Sequence, residues 1–154
     1  MAQTRETPTG TKLDDGFSTK IALEGDTNID FWEKTVQPPG IDGGDSIDIT
    51  NMWNSALRTK AARSLYDLTD VSLTVAYDPL VYDQIIAIIN SNGQVTVTFP
   101  DTSTLTFYGY LKSFEPSELS EGEEPTADIT IVCTNVNPNT DAETAPVFSN
   151  NSGT

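Results

Sequence analysis

Residues 71–111 read VSLTVAYDPLVYDQIIAIINSNGQVTVTFPDTSTLTFYGYL, and this run decides the fold class. Val71, Leu73, Val75 and Tyr77 alternate with Ser72, Thr74 and Ala76, the period of two that puts apolar side chains on one face of a strand. Asp78-Pro79 predicts a helix start, because Asp caps free amides and Pro suits the first helical position. The helix is expected over about 79–91, with Val81, Ile85, Ile88 and Ile89 at helical spacing and Gly93 as its stop. Apolar residues cover much of its circumference, which predicts tight packing against a sheet. Val95, Val97 and Phe99 then alternate with threonines, and Pro100-Asp101 marks a turn. Leu105, Phe107, Gly109 and Leu111 alternate with Thr106, Tyr108 and Tyr110, a strand partly buried on both faces.

Working outward, Thr19, Ile21 and Leu23 alternate with Lys20 and Ala22, and a second strand is expected from Ile29 to Val36. Residues 37–65 open on Pro38-Pro39-Gly40, pass Gly43-Gly44, hold a short strand near 46–50, and end in a polar, basic run. Loops longer than about 15 residues are uncommon inside compact domains and are usually functional or disordered. This segment is therefore read as an inserted assembly loop that orders against a partner. On the other side, 115–124 is an acidic loop, and 127–136 is the final strand with Ile129, Ile131 and Cys133 facing one way. The expected organisation is an N-terminal arm (1–16), a β domain (17–136) carrying the 37–65 loop, and a C-terminal arm (137–154). The fold class is mainly β, a sandwich or barrel of about 6–8 strands with one flanking helix. Its expected core includes Val71, Leu73, Val75, Ile85, Ile88, Val97, Phe99, Phe107, Ile129 and Ile131.

Composition narrows the chemistry. The 154 residues include no histidine and one cysteine, which removes an intrachain disulfide and a Cys/His zinc site. The usual general base near neutral pH is missing too. No apolar run reaches the length that spans a bilayer, and the opening stretch MAQTRETPTGTKLDDG lacks the apolar segment of a secretory signal. No membrane partner and no cofactor are expected. Net charge is −15, from 23 acidic and 8 basic residues, which disfavours nucleic-acid binding. The charge is uneven: residues 64–154 carry 13 acids against Lys112 alone, whereas Arg58, Lys60 and Arg63 fall within six residues.

Individual motifs give little catalytic signal. Asp42, Asp45 and Asp48 lie in a glycine-rich loop but fail the spacing of a calcium loop. Glu118, Glu121, Glu123 and Glu124, with Glu115 and Asp128, form a charged loop with no sign of the burial that carboxylate catalysis needs. Cys133 lies on the inward parity of its strand and lacks a histidine partner, so a small core residue is the expectation. Trp32 and Trp53 would suit a carbohydrate-binding face, but Trp32 also fits a packed strand and Trp53 a loop anchor. Arg58, Lys60 and Arg63 suit contact with an acidic neighbour as well as with phosphate.

The order of pieces resembles the major tail tube proteins of long-tailed, lambda-type siphophages. The residues that carry the resemblance are the strand ending Ala76-Tyr77-Asp78-Pro79, the helix after it, Val95 to Asp101, Leu105 to Pro116 with Phe114-Glu115-Pro116, and Pro125 to Ile131. The resemblance implies a structural subunit, not an enzyme, that self-assembles into stacked hexameric rings forming a hollow conduit for DNA ejection. It implies tape-measure and other tail proteins as partners, DNA passing without specific binding, a place in the virion tail, and assembly in the host cytoplasm. It also implies that the long loop and the termini contact neighbouring subunits. Arg58, Lys60, Arg63, Trp53, Glu118, Glu121, Glu123 and Glu124 are the candidate assembly residues. The alternatives are a capsid decoration protein, a tail terminator, a contractile-type inner tube, or an acidic carbohydrate- or calcium-binding module.

Overall fold

The computed structural model describes residues 19–24, 29–77 and 79–150. In chain order it has β1 (Lys20–Glu24), β2 (Ile29–Asp30), β3 (Glu33–Gln37), β4 (Ile41–Asp42), β5 (Ile47–Asp48), β6 (Lys60–Ala61), β7 (Asp67–Leu68) and β8 (Val71–Ala76). The helix α1 (Pro79–Ile88) follows, then β9 (Gly93–Thr98), β10 (Thr104–Pro116), β11 (Thr126–Cys133), β12 (Val136–Asn137), β13 (Ala142–Glu143) and β14 (Val147–Ser149). The main sheet is antiparallel, in the order β2-β1-β9-β10-β11-β8-β3, with β14 beside β10. The protein is mainly β with one flanking helix, as its periodicities predict.

Alternation builds the core directly. Val71, Leu73 and Val75 on β8, Val95 and Val97 on β9, Phe107 and Leu111 on β10, and Ile129 and Ile131 on β11 all point inward and are buried. Ile21 and Leu23 of β1 and Phe31 join them. Two expected core residues sit at the rim instead. Ile88 ends the helix, and Phe99 lies just past β9 with its ring 6.3 Å from that of Phe148; both are half-buried against the core.

One stretch of chain serves both ends of the sheet and brings them together. Residues 29–36 were expected as a single strand, but the run breaks at Phe31-Trp32. Before the break it pairs with β1 (Ala22 with Asp30), and after it with β8 (Val36 with Leu73). The buried Phe31 side chain fills the corner, and the Trp32 carbonyl still accepts from the Ala76 amide at 2.9 Å. The Ile21 amide donates to Glu33 Oε1 at 2.9 Å, so a carboxylate bridges the gap where β1 and β3 meet.

β10 is the spine. Its first half pairs with β9 on one side and β14 on the other; its second half pairs with β11. Gly109 marks the change of partners, lying opposite both Gly93 and Cys133, and a Cβ there would meet the Val132 carbonyl oxygen at 2.5 Å. Where β9 has not yet begun, α1 lies along β10: the Asn90 amide donates to the Leu111 carbonyl at 3.1 Å, and the Tyr82 ring meets Phe114 edge-on at 5.5 Å. The helix stop is Asn90, with φ of 62°, rather than Gly93, which already belongs to β9. Asp78, the expected cap, lies outside the described residues, as does the expected 1–16 arm.

The C-terminal segment, expected as an extended arm, folds back through the β12–β13 hairpin and adds β14 to the sheet. One row of residues therefore runs Lys20, Thr98, Thr104, Ser149 across four adjacent strands.

Candidate assembly surface

The segment between β3 and β8 is a ribbon rather than an irregular loop. It folds on itself in two short antiparallel ladders, β4 with β7 and β5 with β6. Its base is pinned by Leu68, buried in the core, and by the Gly40 and Thr69 pair of hydrogen bonds. The tip is held by polar side chains. Asn51 Oδ1 accepts from the Trp53 amide at 2.9 Å, and Asn54 Nδ2 donates to the Leu57 carbonyl at 2.9 Å and to Thr59 Oγ1 at 2.7 Å. Thr50 Oγ1 accepts from the Thr59 amide at 2.8 Å. These are local bonds of the kind Asn and Thr make in turns.

What this tip displays is apolar, with Arg58 and Lys60 set beside Asp48. Met52 and Trp53 are 98% and 94% exposed, and Leu57 is 81% exposed. Trp53, read both as a loop anchor and as a candidate assembly residue, is exposed and not an anchor, because the asparagines do the anchoring. Arg58 lies 3.9 Å from Asp48, an exposed and weak pair. Hydrogen bonds from the Thr50 side chain and backbone hold the Asp48 carboxyl below the usual carboxylate range. Arg63 is also a strut of the ribbon: its Nε donates to the Asp45 carbonyl at 2.7 Å, while the residue stays exposed. Gly44, with φ of 76°, leaves room for it, since a Cβ there would meet Arg63 Cδ at 2.9 Å.

The acidic loop lies at the other end of the barrel. The ribbon enters β8 at Val71, whereas the 117–125 loop leads into β11 at Thr126, which pairs with Ala76 at the far end of β8. The two features are about 17 Å apart along that strand, five steps of about 3.4 Å between its first and last residues. Glu118, Glu121, Glu123 and Glu124 are exposed there, and Glu124 forms an ion pair with Lys34 of β3. The structure thus keeps the basic and acidic candidates apart within one chain.

Sequence reasoning missed the apolar surface beside the acidic loop. Trp32 is 72% exposed, not packed in a strand, and lies over a crevice lined by Phe31, Val81 and Phe114. On α1 only Ile85 is fully buried; Tyr82 and Ile86, one turn apart, face out, as does Leu80. Leu119 of the acidic loop is exposed as well. The signal was present, since a helix apolar all round has one apolar face more than a single sheet can cover.

Other chemistry finds no framework. Among the described residues no three Asp, Glu or Cys side chains converge as a metal site requires, and no helix is long and apolar enough to cross a membrane. Cys133 is buried, with its thiol pushed up to about 12 by desolvation and by Asp70 and Asp67.

The sequence matches no protein-family model and no curated protein. Solved structures do match. A chain of the tail of an empty gene transfer agent particle, refined with C6 helical symmetry, aligns at a TM-score of 0.64 and 12% identity, over 89% of this chain and 99% of that one. A chain of the sixfold-symmetrised baseplate of the anti-feeding prophage aligns at 0.65 and 8% identity, over 96% and 99%. A chain of the sheath–tube complex of an extracellular contractile injection system aligns at 0.60 and 12% identity, over 93% and 99%. This curved sheet with its flanking helix is the fold found in chains of these tail, baseplate and sheath–tube assemblies.

Proposed function

We propose that this chain is the repeating structural subunit of a phage-type tail tube, with no catalytic role. Copies assemble as hexameric rings, and the rings stack into a hollow conduit. The observation that carries this reading is fold agreement over nearly the whole chain with chains of tail assemblies of sixfold symmetry. Two features of the chain itself support it. Unlike surfaces occupy opposite ends of one barrel, which favours head-to-tail stacking over closed pairing. A charge of −15 per copy also gives a wall that DNA passes without adhering to. In this reading the protein resides in the virion tail, is assembled in the host cytoplasm, and encloses a tape-measure protein before DNA.

Negative-stain microscopy of the purified protein at rising concentration tests the reading. Long hollow rods with sixfold end views are expected. Isolated rings that never stack would instead point to a terminator or a decoration protein. A second reading, the inner tube of a contractile system, is favoured by the likeness to the sheath–tube chain. Rods that a co-expressed sheath protein wraps would select it over the lambda-type, non-contractile tube.

A further inference from the structure

The sequence holds one Asn-Gly pair, Asn92-Gly93, in the connection from α1 to β9. Asparagine before glycine is the least hindered setting for a reaction of the chain with itself, because no Cβ shields the glycine nitrogen. That nitrogen attacks the side-chain carbonyl carbon of the asparagine, ammonia leaves, and a cyclic succinimide forms. Water then opens the ring to aspartate or isoaspartate. In this fold both ends of the Asn92 amide are engaged by chain distant in sequence. Thr134 Oγ1 donates to Asn92 Oδ1 at 2.8 Å, and Asn92 Nδ2 donates to the Val136 carbonyl at 2.8 Å. Thr134 and Val136 lie where β11 has ended and β12 begins, so Asn92 ties the root of the C-terminal segment to the α1–β9 corner. Apolar burial does little to hold that segment. All three residues of β14 are exposed, and Phe148 meets the body of the protein at the Phe99 ring.

We propose that Asn92 is a deamidation site governed by the docking of the C-terminal segment. While Thr134 and Val136 hold the side chain, its carbonyl carbon is kept from turning onto the Gly93 nitrogen. When the segment opens, the amide is free and the ring can close, at the expense of one ammonia lost and one water gained. The product cannot restore the tie. An aspartate at position 92 has no N–H to offer and is ionised at neutral pH, so an oxygen faces the Val136 carbonyl oxygen. An acceptor left against an acceptor costs more than the lost bond contributed, and the reaction makes the opening permanent. Isoaspartate also adds a methylene to the backbone directly before β9. Release of the segment strips β14 from β10 and leaves the edge at Thr104, Leu105 and Thr106 unpaired.

Peptide mapping by mass spectrometry after incubation at mildly alkaline pH, in buffer and in urea, tests it. In urea, wild type and Thr134→Val should convert Asn92 at the same rate. In buffer the wild type should convert at least about tenfold more slowly than in urea, because both bonds must open first. Thr134→Val removes one of the two bonds and should convert about threefold faster than wild type in buffer. Equal wild-type rates in buffer and urea would overturn the proposal. So would a Thr134→Val chain that converts no faster than wild type in buffer. Hydrogen exchange on Asn92→Asp reads the consequence: protection should fall across residues 136–149 and persist in β8 and β11. Wild-type protection across 136–149 would overturn the claim that the reaction releases the segment. Should Asn92→Asp not fold, wild type aged to partial conversion gives the same comparison between its reacted and unreacted molecules.

Discussion

Cys133 ends β11 with its Sγ donating to the Thr69 carbonyl at 3.5 Å, and burial together with Asp70 and Asp67 pushes its thiol up to about 12. An unfolded thiol ionises near 9.0, so above that pH the unfolded chain gives up a proton that the folded chain keeps. Stability from this group is full below pH 9 and falls as pH rises toward 12. A melting series from pH 8 to 11 should show a steeper decline for the wild type than for Cys133→Ala. Equal slopes would mean that the thiol is not held in its neutral form. The inward parity of Cys133 was legible from the alternation with Ile129 and Ile131, which is local information. Trp53 was legible as a candidate assembly residue, but not as a tip residue free of anchoring duty: Asn51, Asn54 and Thr50 do the anchoring, through turn bonds that depend on a backbone path that spacing does not reveal. The bond from Arg63 to the Asp45 carbonyl was hidden for a related reason, because it is a tertiary contact.

At the level of elements, helix α1 divides its apolar residues between two duties. Ile85 is 2% exposed and belongs to the core, whereas its neighbour Ile86 is 60% exposed. Ile85→Ala should cost about 2–5 kcal/mol, the range for truncating a buried aliphatic residue. Ile86→Ala should change stability by no more than about 0.5 kcal/mol. Urea unfolding of both variants makes the comparison, and equal losses would mean that the helix is seated on a different face. The existence and start of the helix were readable from Asp78-Pro79 and the periodic isoleucines. Which of two apolar faces turns inward was not, since a 3.6-residue period is satisfied by both. The break in 29–36 escaped for a similar reason. Alternation continues through Phe31 and Trp32, and only the change of partner from β1 to β8 shows a corner there. The pairing of β14 with β10 depends on contacts across more than forty residues, and its short, polar surroundings carry no period.

On the scale of the whole molecule, the charge is arranged along the barrel as well as in excess. Copies of net charge −15 repel one another, so association relies on apolar contact and on the placement of the few cations. Arg58→Glu with Lys60→Glu should raise the concentration for assembly by about tenfold at low salt, given about 0.2–1 kcal/mol for each exposed pair. The melting temperature of the single copy should hardly move, because both side chains are exposed. Light scattering against salt concentration checks this, and assembly identical to wild type at low salt would rule out an electrostatic share. Alternation had already given a mainly β sandwich or barrel with one helix, and the tube reading came from the resemblance; the opposition of the two ends came only with the strand register. That register has a further consequence. Lys20 and Ser149 are the outer members of a row of four strands, so the first and last strands of the barrel leave from the same side, about 14 Å apart. About five residues of extended chain cover that distance. A circular permutant that joins Ser149 to Lys20 through such a linker and opens the chain in the exposed 117–125 loop should keep every ladder of the sheet. It should melt as the parent does, and a cargo fused to its new ends would be displayed at the acidic pole.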